Sequence, residues 1–404
     1  MTARAGGTRP VLMIVHAYYE EDPRVRRQAE SLVTAGRPVV VLGLRAPGGP
    51  KTSEVDGVRV HHLDVQRHQG AGLGVYLREY LSFLVRAMIA SIRLHRRERF
   101  ALVQVHSLPD FLVFAALPLR LVGVPVLLDL HEAMPEFFRS RFPGASNRIV
   151  HRLLLLQERL SIALSTATIT VNPPMRDRLV RLGVPAAKTG VVVNSPSLGR
   201  FDIAAHPRRA FRDDGRLRLI YAGALTPTYE LDVAVAAVAR IASTRPDLDV
   251  VFDVYGRGDS GPGLAAQAVE LGVADRVTFH GRIPIEDVPA AIARADIGIA
   301  PTRHDRFTDM SLSTKVFEYA AMGKPVVASR LPMVEHSFPP GTVAAYTPGD
   351  AEAMADAIVA FADDAVERDA AVTRTAEIVK AGSWEHEAEG YLALVERLIA
   401  GRSS

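Results

Sequence analysis

The segment Ser311-Leu312-Ser313-Thr314-Lys315-Val316-Phe317-Glu318-Tyr319-Ala320-Ala321-Met322-Gly323-Lys324-Pro325 runs into Val326-Val327-Ala328-Ser329 and concentrates side chains suited to chemistry. Ser313 or Ser311 can cap a helix whose buried stripe is Val316, Phe317 and Ala320, and Gly323 with Pro325 ends it. The amides of the first turn, around Ser313 and Thr314, then offer hydrogen bonds and partial positive charge to a phosphate. Lys315 falls in that turn, where a cation opposes the helix dipole, and an anionic ligand accounts for it. The alternative is an exposed i, i+3 pair of Lys315 with Glu318. Elsewhere, His131 and Glu132 follow an apolar strand, where polar groups either meet a ligand or are satisfied structurally. His106 with Asp110 can line the same side.

The elements that must hold these groups alternate along the chain. Strand-like runs at Val11 to Val15, Val39 to Leu42, Val58 to Leu63, Ala101 to His106, Val124 to Leu130 and Thr168 to Val171 are separated by helical stretches, the pattern of a parallel sheet with crossover helices. After Val191 to Asn194, a cluster of Ser, Pro, Gly, Arg and Asp over Ser195 to Gly215 reads as a linker. A second series follows at Leu217 to Tyr221, Val250 to Tyr255, Val277 to His280, Ile297 to Ala300 and Val326 to Ala328. The expected fold is α/β with two doubly wound Rossmann-like domains, 1–198 and 216–383, facing an interdomain cleft. A last helix, 384–404, can cross back to the first domain.

Glu318 through Ser329 resemble the signature of the retaining family 4 glycosyltransferases, whose Glu-Ala-Met-Ala-x-Gly-x-Pro-Val-Val-Ala-Ser run follows the nucleotide-binding helix. Asp22-Pro23-Arg24-Val25, Leu128-Asp129-Leu130-His131-Glu132, Val193-Asn194 and Tyr221-Ala222-Gly223 extend the likeness over most of the chain. The resemblance implies a GT-B fold, a nucleoside diphosphate sugar as donor and transfer with retention, without a cofactor or metal. It gives Glu318 the ribose hydroxyls and His131 the family's active-site histidine, and it makes 1–198 the acceptor side, lined by His106, Asp110 and Glu132, and 216–383 the donor side. It turns Gly223 and the glycine loop with Gly256 and Gly258 towards the donor. Three usual donor ligands differ here. Ala224 and Tyr229 stand where many members have an arginine and a lysine, and Met310 replaces a glutamate, with Asp309 one residue out of register. A departing diphosphate still needs cations, so Lys315, helped by Arg303 and the helix amides, is expected to replace the missing pair.

Two further motifs carry less. Gly256-Arg257-Gly258-Asp259-Ser260-Gly261 fits a dinucleotide fingerprint, the basis of a rival oxidoreductase reading, but no acid ends the next strand at Phe279-His280-Gly281. Asp247-Leu248-Asp249 resembles a metal-binding pair from another fold, yet it precedes its strand. A non-catalytic sugar-nucleotide-binding scaffold is the other rival. The chain has 404 residues, 48% of them apolar and none cysteine, which points to two domains and excludes disulfides and thiolate chemistry. A net charge of +3 with no basic and aromatic array argues against nucleic acid. The apolar stretch Phe111 to Leu128 is broken by Pro118, Arg120 and Pro125 and reads as a helix, a turn and a strand rather than a membrane span. Leu73 to Arg99 carries six arginines among apolar residues and suits either an anionic membrane surface or a core-packed helix with a basic end. The expected enzyme is cytoplasmic, with a hydroxyl acceptor left unidentified.

Overall fold

Runs of valine, leucine and isoleucine form strands covered on both faces, as parallel sheets with crossover helices require. In the computed structural model, which describes residues 8–68, 72–142, 144, 147–207 and 209–401, these strands build two sheets. The outer ends of the expected domains and Arg208 of the expected linker lie outside the described residues. The first sheet contains β1 (Val11–Ile14), β2 (Val39–Leu44), β3 (Thr52–Val55), β4 (Val58–Leu63), β5 (Leu102–His106), β6 (Val126–Leu130), β7 (Ala167–Thr170) and β8 (Thr189–Val191). Its order is β3-β4-β2-β1-β5-β6-β7-β8, parallel throughout except for β3 against β4. The second contains β9 (Arg216–Ala222), β10 (Asp249–Tyr255), β11 (Val277–Gly281), β12 (Ile297–Ala300), β13 (Val326–Ser329) and β14 (Ala344–Tyr346). It runs β11-β10-β9-β12-β13-β14, all parallel. Each sheet has a switch point, at β1 and at β9, where crossovers leave in opposite directions and ligands are expected beyond the carboxyl ends.

Two strands were not expected from sequence. β3 is an edge strand of alternating half-buried and exposed residues, turned from β4 by Asp56 and Gly57 at φ +50° and +75°. That two-residue turn with positive φ at both positions is what an Asp-Gly hairpin requires. β14 is only three residues long.

The chain divides into one unit of the residues up to Asn194 with those from His386 on, and another of Ser195–Glu385. The segment expected to be a linker therefore falls within the second unit, where Phe201 packs beside Ala291, Val316 and Phe338. In the first unit, Tyr391 and Val395 of the Trp384–Ala400 helix are fully buried, and the Tyr391 hydroxyl donates to Gln104 Oε1 at 2.7 Å. The Leu73–Glu98 helix buries a narrow stripe of Glu79, Phe83, Ala87 and Ser91, so only that stripe is core-packed. Among the described residues no helix is long and apolar enough to cross a membrane.

Candidate active site

In the second unit the Thr314–Ala321 helix is fixed by Tyr319. Its ring fills the space that Gly298 leaves, where an added Cβ would stand 2.3 Å from the ring, and its hydroxyl accepts from Ala222 N at 3.0 Å. This ties the helix to the carboxyl end of β9. Ser313 holds the N-cap position without bonding the helix amides, and its Oγ is buried with no partner among the described residues. The expected serine cap is therefore not made, because Ser311 Oγ donates back to Phe307 O instead. The first-turn amides keep their capacity for an outside acceptor.

Lys315 is only 7% exposed, so the exposed pair with Glu318 is not its role. Its Nζ stands 3.8 Å from the Tyr229 ring centroid and 5.1 Å from that of Tyr221, and the two rings are 6.0 Å apart. A Cβ on Gly223 would lie 2.2 Å from Lys315 Cε, so glycine is needed for the side chain to pass. No carboxylate pairs with this ammonium among the described residues. Aromatic faces attract a cation without neutralising it. Tyr229, a departure from the family's lysine, thus forms the floor under a lysine supplied from another element.

The other donor-side candidates are placed unequally. Arg303 follows β12, and its amide donates to Thr228 O at 2.9 Å, which joins it to the loop carrying Tyr229. Asp309 lies in a 3-10 turn and is held by His304 Nε2 at 2.8 Å. Glu318 sits half-buried one turn beyond Thr314 and Lys315. Gly256, at φ +140°, and Gly258 are accounted for by packing. A Cβ would come within 1.7 Å of Gly223 O in the first case and 2.0 Å of Leu225 O in the second. The loops after β9 and β10 also bond each other, Gly223 N to Tyr255 O and Leu225 N to Arg257 O. The fingerprint-like spacing thus serves backbone contact and needs no dinucleotide.

In the first unit His131 follows β6, its amide donating to Ser107 Oγ and its side chain 19% exposed. His131 Nε2 is 3.2 Å from His106 Nδ1 and 3.5 Å from Asp129 Oδ2, and His106 Nδ1 is 3.3 Å from the same oxygen. Asp129 is fully buried and takes Arg24 Nε and Nη2 at 3.1 and 2.5 Å and Gln28 Nε2 at 3.0 Å. Burial alone would push the Asp129 carboxyl up, but Arg24 and the histidines hold it well below the usual range. Burial pushes His106 down towards the neutral form. The Asp22-Pro23-Arg24 motif now has a physical meaning. Asp22 caps the helix by accepting from Arg24 N and Val25 N, Pro23 starts it, and Arg24 spans the chain to Asp129. Pairing Arg24 with Asp129 across 105 residues was beyond the sequence reading, as was His16, which follows β1 and lies 3.0 Å from Glu79 Oε1.

His106, Asp129 and His131 bring three ligand-type atoms within 4.8 Å of one another. They do not fit a cation well, since the Arg24 guanidinium already spans both Asp129 oxygens. The trio is better described as a hydrogen-bonded support under the exposed face of His131. Beside it, both Asp110 oxygens and Glu132 Oε2 are buried without a hydrogen-bond partner among the described residues. Burial raises the Asp110 carboxyl well above its ordinary range and Glu132 to about 7.

Comparisons with known proteins bear on the family and the fold. Residues 22–195 match the Glycosyl transferase 4-like domain and residues 216–364 match Glycosyl transferases group 1. A glycogen synthase of Mycobacterium tuberculosis (strain CDC 1551 / Oshkosh) is 26% identical over 84% of this chain and 81% of its own. A 2-deoxystreptamine N-acetyl-D-glucosaminyltransferase of Streptomyces fradiae is 28% identical over 83% and 82%. The structure of sucrose-phosphate synthase from Thermosynechococcus elongatus superposes with a TM-score of 0.76 at 20% identity, covering 97% of this chain and 100% of that one. With its two Rossmann-like parallel-sheet domains, the chain belongs to the glycosyltransferase group 1 family and is a GT-B glycosyltransferase that takes its sugar from a nucleotide sugar.

Proposed function

We propose that this enzyme transfers a sugar, with retention and without a metal, from a nucleoside diphosphate sugar to an acceptor hydroxyl. The observation that carries the reading is Lys315, a buried ammonium at a helix N-terminus that faces two aromatic rings and, among the described residues, no carboxylate. Such a cation is matched by a dianionic leaving group. Lys315, Arg303 and the amides near Ser313 and Thr314 stabilise the diphosphate as its bond to the anomeric carbon breaks. The acceptor oxygen bonds to that carbon from the same face, and its proton passes to the departing phosphate oxygen. Glu318 binds the ribose, Gly223 lets Lys315 approach, and Asp309 closes the donor side. His131, supported by His106, orients the sugar, while Asp110 and Glu132 serve the acceptor side as hydrogen-bond donors in their protonated forms. The enzyme works in the cytoplasm, with the Leu73–Arg99 segment in peripheral contact with an anionic membrane.

Calorimetry with UDP, GDP, ADP and their glucose conjugates, with and without a chelator, tests this reading. Binding of a sugar nucleotide that survives chelation, and that Lys315→Ala weakens, is the expected result. Binding of NAD in place of every sugar nucleotide, or transfer abolished by the chelator, overturns it.

A further inference from the structure

Seventeen large apolar side chains are exposed among the described residues, and twelve of them lie on three consecutive crossovers of the first unit. Six are on the Leu73–Glu98 helix, two are Leu121 and Val122 at the end of the next crossover, and four are on the Arg148–Leu164 helix. These crossovers lead from β4 to β5, β5 to β6 and β6 to β7, advancing in one direction along the sheet. Right-handed connection therefore places all three on the same face. The 3-10 segment Asp110–Ala116 packs against both long helices and sits between them. On the Arg148–Leu164 helix the exposed residues Ile149, Leu153, Leu156 and Leu160 follow a 4-3-4 spacing, a single outward stripe at 52–70% exposure. A helix that packs only inward would place its leucines on the opposite side.

The charge on this face is of one sign. On the helices of these crossovers nine arginines are exposed, Glu79 and Glu158 are buried, Glu98 and Glu136 are half-buried and no acid is exposed, and in the 3-10 segment between the long helices Asp110 is buried. We propose that this three-crossover face is a docking surface for an anionic lipid bilayer, with the apolar stripes entering the headgroup boundary and the arginines meeting lipid phosphates. It rests on the peripheral contact proposed above and extends it from one helix to a continuous face. A second copy of the chain is the poorer occupant, because a two-fold interface would set arginine against arginine. An amphipathic apolar stripe flanked by cations matches a bilayer interface, where each basic residue near the surface adds attraction to anionic headgroups.

Flotation of the full chain with phosphatidylglycerol-containing and pure phosphatidylcholine vesicles tests the proposal. Partition onto anionic vesicles is expected to exceed that onto neutral ones at least about tenfold at low salt, and to fall as salt rises. Leu153→Ser with Leu156→Ser, on the second long helix, should weaken it by about tenfold. Because the chain has no cysteine, a fluorophore on Leu153→Cys reports the same contact by a blue shift on anionic vesicles. Substitution at these exposed positions should leave sugar-nucleotide binding unchanged, so loss of donor binding would count against the catalytic reading and not this one. Equal partition onto both vesicles overturns the proposal. So does a doubly substituted protein that floats like wild type, even where Leu77→Ser with Leu81→Ser does not. A vesicle-free dimer that the double substitution dissociates also overturns it, by assigning the face to a second copy.

Discussion

The two candidate clusters, one in each unit, solve opposite electrostatic problems. Asp129 in the first unit is a buried anion saturated from within, by Arg24, Gln28 and two histidines. Lys315 in the second is a buried cation given, among the described residues, aromatic faces and the room made by Gly223. A saturated charge maintains geometry, whereas an unsaturated one reserves its interaction for a ligand. The difference teaches that the first cluster should matter to folding and the second to turnover.

The largest effect expected breaks the saturated side. Asp129→Ala strands the buried Arg24 guanidinium, and losing one member of a buried pair costs about 3–5 kcal/mol. Urea unfolding should show that loss. Lys315→Ala should behave in the opposite way, leaving the urea midpoint unchanged or higher while turnover falls by roughly 10²- to 10³-fold. Wild-type turnover in Lys315→Ala would refute the clamp and move attention to Arg303, Arg306 and Arg257.

Glu132 sharpens the comparison through pH. Its carboxyl rises from 4.5 to about 7 because of burial, so the folded state favours the protonated form. That contribution is fully present below pH 4.5 and is lost as pH rises through 7, amounting to at most about 3 kcal/mol. Thermal unfolding of Glu132→Gln between pH 4.5 and 8 should lack this decline, and an unchanged slope would reassign it to Asp110. The smallest effect concerns the aromatic floor. Tyr229→Leu should lower donor affinity and turnover by about tenfold, as loss of a desolvated cation–π contact predicts, while Tyr229→Phe stays near wild type. Equal loss in both variants would implicate the hydroxyl instead of the ring.

Much of the fold was legible because its strands are continuous apolar runs, such as Val39–Leu44, buried at every position. Thr52–Val55 escaped notice because a polar edge strand has no such run, although Asp56-Gly57 carried its turn signal. Lys315 stood out by violating the dipole preference of its helix. The partners of these residues were less accessible to sequence reading. Tyr229 meets Lys315 and Arg24 meets Asp129 only through tertiary packing, across 86 and 105 residues. Gly256 and Gly258 show why the fingerprint spacing carried little, since a phosphate-loop spacing also arises when two backbones touch.

Tyr391 bears on the order in which the protein is made. The first unit draws its final buried side chains, Tyr391 and Val395, from the far end of the chain, after the second unit has been translated. At about 5–20 residues per second, the roughly 200 intervening residues delay that closure by about 10–40 s. Gln104, made 287 residues before its hydroxyl partner, waits longer still, so the second unit can complete its own core on the ribosome before the first one does.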